Sequence, residues 1–332
     1  MQMNQQDGFA IHAADTAAPA WRDVLARSPW ACLFHEPAFL AYHPEGRFQW
    51  QHLVVTHGGR PVALLPGGIA TQDGRSVFRS PLGASFGGPV LPARMPAADV
   101  LALLKAVLDH ASAQGWSGVE LTPPPPSIYR SDQSDTLGFA LQASGFALKS
   151  RMLCSALLLG TEVPRFESLY RSRNVTKTRA ALRAGIETVI GGKELLDGFT
   201  VVLEATYQRH GVAPTHTLEE LTDLMDRMPE RFRIALARHE GRPVAGLFLM
   251  RMNDRVENAF YICQTTEDAP LNGGLALFAT VLDRLGEEGI AILDLGPSSM
   301  PDGSLNRGVC FFKEGIGAIG YCRDRWRWST GV

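Results

Sequence analysis

The sequence has no long apolar run. No stretch of its 332 residues approaches the roughly 18 consecutive apolar residues that a membrane-spanning helix requires. The segment from Met1 to Ala20 lacks the basic region and apolar core of a secretory signal peptide. We therefore expect a cytoplasmic protein with no transmembrane segment, for which a peripheral position at the inner membrane face stays open.

Cysteine pairs and a charge excess of one sign are also missing. The five cysteines form no C-x-x-C pair, and none has a histidine nearby at zinc-finger spacing. We therefore expect reduced thiols and no metal. The formal net charge of -2 gives no overall field that would attract nucleic acid or an anionic membrane. A polyanion would have to bind to a local patch.

Two common catalytic motifs are absent as well. The sequence contains neither a G-x-S-x-G turn nor a Walker A phosphate loop. The segment Asn272-Gly273-Gly274 precedes a predicted helix, whose N-terminus could bind an anion. It nevertheless lacks the basic residue and the glycine spacing of a pyrophosphate-binding loop.

What the sequence does contain is an internal repeat. Residues 57–63 return as residues 239–245, with six of seven identical at an offset of 182. Residues 107–121 return in part as residues 281–295 at an offset of 174. Two matches in the same order indicate a duplicated domain. The predicted domains are residues 1–160 and 161–332.

Each repeat has the same predicted order of elements, namely a hairpin, a further strand, a helix and a strand. Apolar residues recur at helical spacing over residues 101–113 and 275–285. Short apolar runs at residues 117–122 and 290–295 predict buried strands after these helices. A helix between two strands indicates a crossover connection, and therefore a mixed sheet in an α/β (α+β) fold.

The first candidate site is a basic helix predicted over residues 169–184, with Gly185 as its C-terminal stop. Arg173 and Lys177 are four residues apart and share one face of this helix. Paired cations of this kind suit phosphate or carboxylate groups. The alternative is an ordinary solvated helix face.

The second candidate site is a predicted loop over residues 207–216, bounded by glycine and proline. It contains Tyr207, Arg209 and His216. Loops often carry functional residues, and histidine can act as a general base near neutral pH. The alternative is a histidine that caps an element or covers the surface.

Two further candidates lie in the last quarter of the chain. Asp294 ends a predicted buried strand before a turn rich in glycine and serine, a position where α/β sheets favour ligands. Lys313 follows Phe312 in a predicted strand, where partial desolvation would let its charge stabilise an oxyanion. The alternatives are an ordinary turn and a surface lysine.

Three of these segments resemble the FemAB-like proteins. The stretch from Arg173 to Ile186 is similar to their arginine-rich helix, and Asp294-Leu295-Gly296 is similar to their strand-end D-x-G. The stretch from Phe312 to Gly317 resembles their C-terminal F-K-x-x-F/I-G signature. The resemblance covers about residues 160–325. It implies two tandem GNAT-like domains, each a mixed, mostly antiparallel sheet flanked by helices.

The resemblance also implies a function. Characterised FemAB-like proteins transfer an amino acid from aminoacyl-tRNA to a peptidoglycan precursor, and many relatives are GNAT-type acetyltransferases. We therefore expect an acyltransferase that moves an acyl or aminoacyl group to an amine of a cell-envelope or polysaccharide precursor. The expected donor is acyl-CoA or aminoacyl-tRNA. The alternative is a non-catalytic ligand-binding protein on a duplicated GNAT fold.

Residue roles follow for the second half of the chain. By resemblance, Lys313 would stabilise the tetrahedral intermediate, and we expect Asp294 or His216 to accept the proton. The expected substrate-binding residues are Arg173, Lys177, Arg209, Tyr207, Tyr261 and Phe312. A tRNA partner is possible but not favoured, because the net charge is acidic and the coiled-coil insertion of some Fem enzymes is missing.

Overall fold

The structure, a computed structural model, describes residues 8–129, 134–160 and 165–330, apart from the side chain of His210. The chain divides into two compact units. Unit 1 comprises Met1–Met152 and Cys322–Val332, and unit 2 comprises Leu153–Tyr321.

This division differs from the sequence-based boundary between residues 160 and 161. The structure assigns residues 153–160 to unit 2 and residues 322–332 to unit 1. Residues 322–332 belong to unit 1 because the end of the final strand pairs antiparallel with Gly118–Leu121. A pairing between segments so far apart in the chain leaves no periodic signal in the sequence.

Unit 1 contains two sheets and five helices among its described residues. The helices are α1 (Pro19–Ala26), α2 (Pro37–Leu40), α3 (Ala97–Ala113), α4 (Pro126–Tyr129) and α5 (Thr136–Ala143). The strands are β1 (Phe9–Ala13), β2 (Gln49–Trp50), β3 (Leu53–His57), β4 (Arg60–Leu65), β5 (Gly68–Gln72), β6 (Arg75–Ser80), β7 (Gly118–Leu121) and the first part of β8 (Ala147–Leu158). One sheet has the order β1-β3-β4, and the other runs β2-β5-β6-β7 and then the C-terminal strand.

Unit 2 is built around a single mixed sheet among its described residues. Its helices are α6 (Phe166–Leu169), α7 (Ser172–Arg183), α8 (Leu196–His210), α9 (Leu218–Arg227), α10 (Gly273–Glu287) and α11 (Arg307–Gly315). Its strands are the rest of β8, β9 (Ile186–Gly191), β10 (Phe232–His239), β11 (Arg242–Arg251), β12 (Val256–Gln264), β13 (Ile292–Pro297) and the start of β14 (Ile319–Ser329). The sheet order is β8-β13-β12-β11-β10-β9.

The repeated hairpins are confirmed, and their two turns have the same backbone geometry. The β3–β4 turn has positive φ at Gly58 (54°) and Gly59 (75°). The β10–β11 turn has positive φ at Glu240 (51°) and Gly241 (77°). Two successive left-handed residues are what a tight two-residue hairpin requires, because this turn matches the twist of the strands.

The predicted crossover helices are also confirmed. In unit 1, α3 connects the parallel strands β6 and β7, and in unit 2, α10 connects the parallel strands β12 and β13. Parallel neighbours need such a connection because both strands run in the same direction, so the chain must first return to the end of the sheet where the first strand began. The remaining pairs of the unit 2 sheet are antiparallel, as the fold prediction expected.

Helices cover both faces of the unit 2 sheet. Helix α10 contributes Phe278 and Leu282 to an apolar core with Leu247 and Leu293 of the sheet. On the opposite face, α8 approaches β11 so closely that a Cβ on Gly246 would lie 2.8 Å from the Phe199 ring. A glycine is therefore needed at that crossing.

The described residues were also searched for membrane-spanning helices, disulfides and metal-binding groups. None of the described helices is long and apolar enough to cross a membrane. All five cysteines are free, and no group of three or more described His, Cys, Asp or Glu side chains could hold a metal ion.

Two predicted elements were wrong in type. Lys313 lies on helix α11 and not on a strand, because the Asn306 side chain accepts from the Val309 amide and caps the helix. Tyr207 and Arg209 lie in the last turn of α8 and not in a loop, since the helix continues until Gly211, which has φ of 66°.

Helix α9 begins at a capping box directly after His216. The Thr217 hydroxyl accepts from the Glu220 amide at 3.2 Å, and the Glu220 carboxylate accepts from the Thr217 amide at 2.9 Å. We expect Thr217→Ala to lower the free energy of unfolding by about 1 kcal/mol in chemical denaturation. Thr217→Ser keeps the hydroxyl and should retain most of this stability. An equal loss in both variants would contradict the capping role.

Candidate active site

The parallel strands of unit 2 separate at their carboxyl ends. Pairing of β12 with β13 runs from Val256 opposite Ile292 to Asn258 opposite Asp294. Beyond this point β12 continues beside β11, whereas Pro297 of β13 pairs with Cys154 of β8. The two strands therefore part just after Asn258 and Asp294, at the kind of strand end where α/β proteins place ligands.

Asp294 is the polar centre of this strand end. Its side chain is only 1% exposed. One carboxylate oxygen accepts from the Tyr321 hydroxyl at 2.7 Å and from the Gly296 amide at 2.8 Å, and the other accepts from Asn258 Nδ2 at 2.9 Å. A buried carboxylate is tolerated when donors surround it in this way.

Lys313 reaches the same strand end from helix α11. Its ammonium, in a residue that is 3% exposed, donates to the Gly296 carbonyl at 3.0 Å and to the Pro297 carbonyl at 2.6 Å. Gly296 has φ of 69°, a left-handed conformation that turns the chain at this point. Gly296 thus donates to Asp294 and accepts from Lys313, so one residue links the two predicted catalytic side chains.

A β-bulge brings a second group of predicted residues to the same face of β12. Register with β11 shifts between Ala259 and Tyr261, which leaves Phe260 as the extra residue. Because side chains alternate along a strand, the extra residue places Tyr261 on the face that carries Asn258. Without the bulge, these two side chains would point to opposite faces.

Tyr261 holds His216. The buried phenol accepts from the His216 amide at 3.1 Å and shares a 2.8 Å hydrogen bond with His216 Nδ1. Burial raises the pKa of the Tyr261 hydroxyl far above its ordinary value, so the phenol stays protonated at neutral pH. The imidazole is therefore held at two points by one side chain.

Tyr207 and Cys263 lie next to this pair. The Tyr207 ring meets the Tyr261 ring edge-on, with centroids 5.9 Å apart. Burial raises the pKa of Tyr207, and it raises the pKa of the Cys263 thiol to about 12. Since the thiolate is the nucleophilic form, Cys263 is unsuited to covalent catalysis.

The basic helix is confirmed as α7, and its cations have different surroundings. Arg171 forms an ion pair with Glu314 at 3.0 Å, and Arg179 lies 3.4 Å from Glu167. Arg173 is exposed and Lys177 is half-buried, and neither has an ion-pair partner among the described residues.

The other two predicted substrate-binding residues are Arg209 and Phe312. Arg209 is exposed, with its guanidinium 3.5 Å from the Thr266 hydroxyl. Phe312 packs against Phe278 in the apolar core, with ring centroids 5.9 Å apart. Core packing is enough to account for an aromatic side chain at position 312. The role of Phe312 in substrate binding stays a prediction.

Comparison with known proteins identifies the fold. Residues 168–304 match the family model described as an acetyltransferase (GNAT) domain. A solved structure of FemX is similar with a TM-score of 0.69 and 12% sequence identity, covering 96% of this chain and 97% of its own. The chain has the FemAB-like tandem GNAT fold.

Other solved structures share this FemAB-like fold. L-PGS from Bacillus licheniformis has a TM-score of 0.60 and 14% identity, over 95% of this chain and 92% of that one. A tandem GNAT protein from the clavulanic acid biosynthesis pathway has a TM-score of 0.54 and 15% identity, over 98% and 99% of the two chains. No curated protein matched the sequence.

Within the FemAB-like fold, the structure adds two residues that sequence reasoning missed. Asn258 and Tyr321 both donate to Asp294. Neither stands in a motif or a charge cluster, since each acts only through contact with a distant segment. Asn258 becomes recognisable once the strands are aligned, because it lies directly opposite Asp294 in the parallel register.

The link between Tyr261 and His216 can be tested without knowing a substrate. Tyr261→Phe removes the hydroxyl that bonds both the amide and the ring of His216. We expect a loss of about 1–2 kcal/mol in unfolding free energy and altered ring ¹⁵N signals of His216 in NMR spectra. The control is Tyr207→Phe, which removes a neighbouring phenol hydroxyl. Unchanged His216 signals in Tyr261→Phe would contradict the assigned contact.

Proposed function

We propose that this protein is an acyltransferase that transfers an acyl or aminoacyl group to an amine of a cell-envelope or polysaccharide precursor. The observation that carries the proposal is the buried ammonium of Lys313, fixed where β12 and β13 separate. It lies in the unit whose residues 168–304 match the acetyltransferase (GNAT) model.

The reaction is a nucleophilic acyl substitution. The lone pair of the acceptor amine forms a new bond to the carbonyl carbon of a thioester or ester. Negative charge then builds on the carbonyl oxygen of the tetrahedral intermediate. The bond to sulfur or oxygen breaks with its electron pair, and one amine proton ends on that leaving group. The protein must therefore stabilise an oxyanion and accept a proton.

Lys313 is suited to the first task. Its two bonds to main-chain carbonyls hold the ammonium in one place, so little reorganisation is needed when charge develops nearby. Because the group is buried, water screens its charge less than it would at the surface. We propose that Lys313 offsets the negative charge on the carbonyl oxygen.

For the second task we propose His216 rather than Asp294. The oxygens of Asp294 already accept three hydrogen bonds that hold the strand end, which favours a positioning role. We propose that Nδ1–H of His216 donates to the phenol oxygen of Tyr261, as the His216 amide does. In this tautomer Nε2 of His216 is the basic atom.

Acceptor binding is assigned to the cations and aromatic rings of unit 2. Arg209, Arg173 and Lys177 present positive charge that suits a carboxylate or phosphate of an envelope precursor. Tyr207 would contribute an aromatic surface, and Tyr261 acts through His216. The resemblance to FemAB-like proteins supports an aminoacyl donor, and the GNAT match supports an acyl-CoA donor.

The second candidate function is a non-catalytic ligand-binding protein. It is favoured by the first repeat, whose stretch matching the region around Lys313 reads Ala143-Ser144-Gly145-Phe146-Ala147 and has no lysine. A thermal-shift screen of acetyl-CoA, longer acyl-CoAs and charged tRNA separates the two functions at the outset. Ligand at 100 times its dissociation constant raises stability by about 2.7 kcal/mol, which such a screen detects.

Replacement of Lys313 tests the catalytic proposal. With a donor found in the screen, transfer of its labelled acyl group to an amine acceptor is followed in the wild type and in Lys313→Met. We expect turnover to fall by about 100-fold or more, because the positive charge is lost where the oxyanion forms. The variant should bind the donor almost as well as the wild type does.

The matched control addresses stability. Lys313→Met leaves the carbonyls of Gly296 and Pro297 without this donor, which should lower stability by about 1–3 kcal/mol. Thr188→Val removes the 2.8 Å hydrogen bond between Thr188 and Thr280, which should cost about 1 kcal/mol, and it retains all of the proposed catalytic residues, so it should keep its turnover. Unimpaired transfer by Lys313→Met would show the assigned role to be wrong. No stabilisation by any donor would favour the binding protein.

A further inference from the structure

Unit 1 contains a cavity at the carboxyl ends of its own parallel strands, β6 and β7. Its volume is about 240 Å³. The cavity is lined by residues of these two strands, of the loop after β6 and of the C-terminal strand, and by Phe48, which precedes β2. The lining includes Arg79, Gly83, Ser85, Glu120 and Arg325. This position in unit 1 corresponds to the strand end that holds Asp294 in unit 2.

Glu120 of the lining is surrounded by positive side chains. Glu120 is 3% exposed, and its carboxylate accepts from Arg79 Nε at 2.9 Å, from Arg327 Nη1 at 2.8 Å and from Lys149. Of these three cations, Arg79 lines the cavity, and Arg325 lines it as well. Arg327 and Lys149 contact Glu120 without forming part of the lining. The lining therefore has two guanidinium groups and one carboxylate, and two further cations lie beside that carboxylate. The other carboxylate of this part of β14, Asp324, is already paired with Arg151.

Glu120 acts here as an anchor for cations. Burial by itself would raise its pKa, but the hydrogen bonds from Lys149 and Arg79 outweigh burial and hold the pKa at about 2. The carboxylate is therefore ionised at any physiological pH and is a poor proton acceptor. Its effect is to fix the two guanidinium groups and the ammonium in place, so that binding an anion requires little further ordering.

The loop after β6 contributes several residues to the lining. Gly83 has φ of 68°, and a Cβ at this position would lie 2.4 Å from the His43 ring and 2.7 Å from the Phe48 ring. Only glycine fits, so the backbone itself lines the cavity there. Ser85 adds a hydroxyl to the same part of the lining.

We propose that this cavity binds a phosphate or diphosphate group of a small molecule. The two guanidinium groups of the lining, Arg79 and Arg325, suit phosphate oxygens. Because Arg327 and Lys149 also contact Glu120, its carboxylate leaves positive charge in excess at this strand end. At about 30 Å³ per water molecule, the cavity has room for roughly eight waters. That space fits a phosphate or diphosphate and the first atoms of whatever carries it. The proposal does not depend on acyl transfer by unit 2.

Inorganic pyrophosphate is a direct probe of this site. Isothermal titration calorimetry at constant ionic strength should show saturable binding of one pyrophosphate to the wild type and weaker binding of phosphate. Arg325→Gln should weaken pyrophosphate binding by about tenfold or more, because it removes a charged contact. Arg325 is exposed, so this variant should fold as the wild type does.

The matched control is Arg60→Gln, which removes one positive charge from the exposed first residue of β4 in the same unit. It should bind pyrophosphate as the wild type does. Equal weakening in both variants would show general charge attraction and overturn the site, as would a wild type that binds no pyrophosphate. Lys313→Met should bind pyrophosphate as the wild type does. A failure of the transferase proposal can therefore be told apart from a failure of the phosphate-site proposal.

The source of the phosphate can be decided in the same experiments. Sedimentation with phosphatidylglycerol vesicles, compared with phosphatidylcholine vesicles, tests a lipid headgroup. Loss of vesicle binding in Arg325→Gln, but not in Arg60→Gln, would place the headgroup in this cavity. Pyrophosphate binding without vesicle binding would indicate a soluble phosphorylated compound.

Discussion

The buried carboxylate of Asp294 is the constraint on which the unit 2 site depends. A charge removed from water is tolerated only when hydrogen bonds replace its hydration, and Asp294 takes its donors from β12, from β14 and from its own turn. These ties fix the position of Gly296 and Pro297. The carbonyls of the same two residues hold the ammonium of Lys313. The strand end, the turn and the lysine therefore form one connected arrangement.

The two units surround the equivalent buried carboxylate with different groups. Glu120 of unit 1 matches Asp294 of unit 2 in the repeat, at the offset of 174. Arg79 lies opposite Glu120 in the parallel register, as Asn258 lies opposite Asp294. The carboxylate is surrounded by cations in unit 1 and by neutral donors in unit 2. One backbone arrangement thus supports a cationic cavity in one copy and a single buried lysine in the other.

The parts of the fold that depend on local sequence patterns were predicted correctly. The parts that depend on capping, bulges or contacts between distant segments were not. The hairpin turns follow from glycine and neighbouring residues that accept positive φ, and the crossover helices follow from apolar periodicity. Helix α11 was misjudged because the aromatic pair before Lys313 favours a strand, whereas the cap from Asn306 starts a helix. The β12 bulge left no mark in the sequence that we could interpret, although it decides which face Tyr261 occupies.

The sequence by itself determined the duplication, the α/β class and the segments that carry Lys313, Asp294 and His216. It could do so because repeats, periodicity and motifs are properties of neighbouring residues. Only the tertiary structure decided that Gly296 joins Asp294 to Lys313, that Tyr261 holds His216, and that residues 322–332 return to unit 1. Those outcomes depend on hydrogen bonds and strand pairing between segments far apart in the chain, which form only when the whole domain folds.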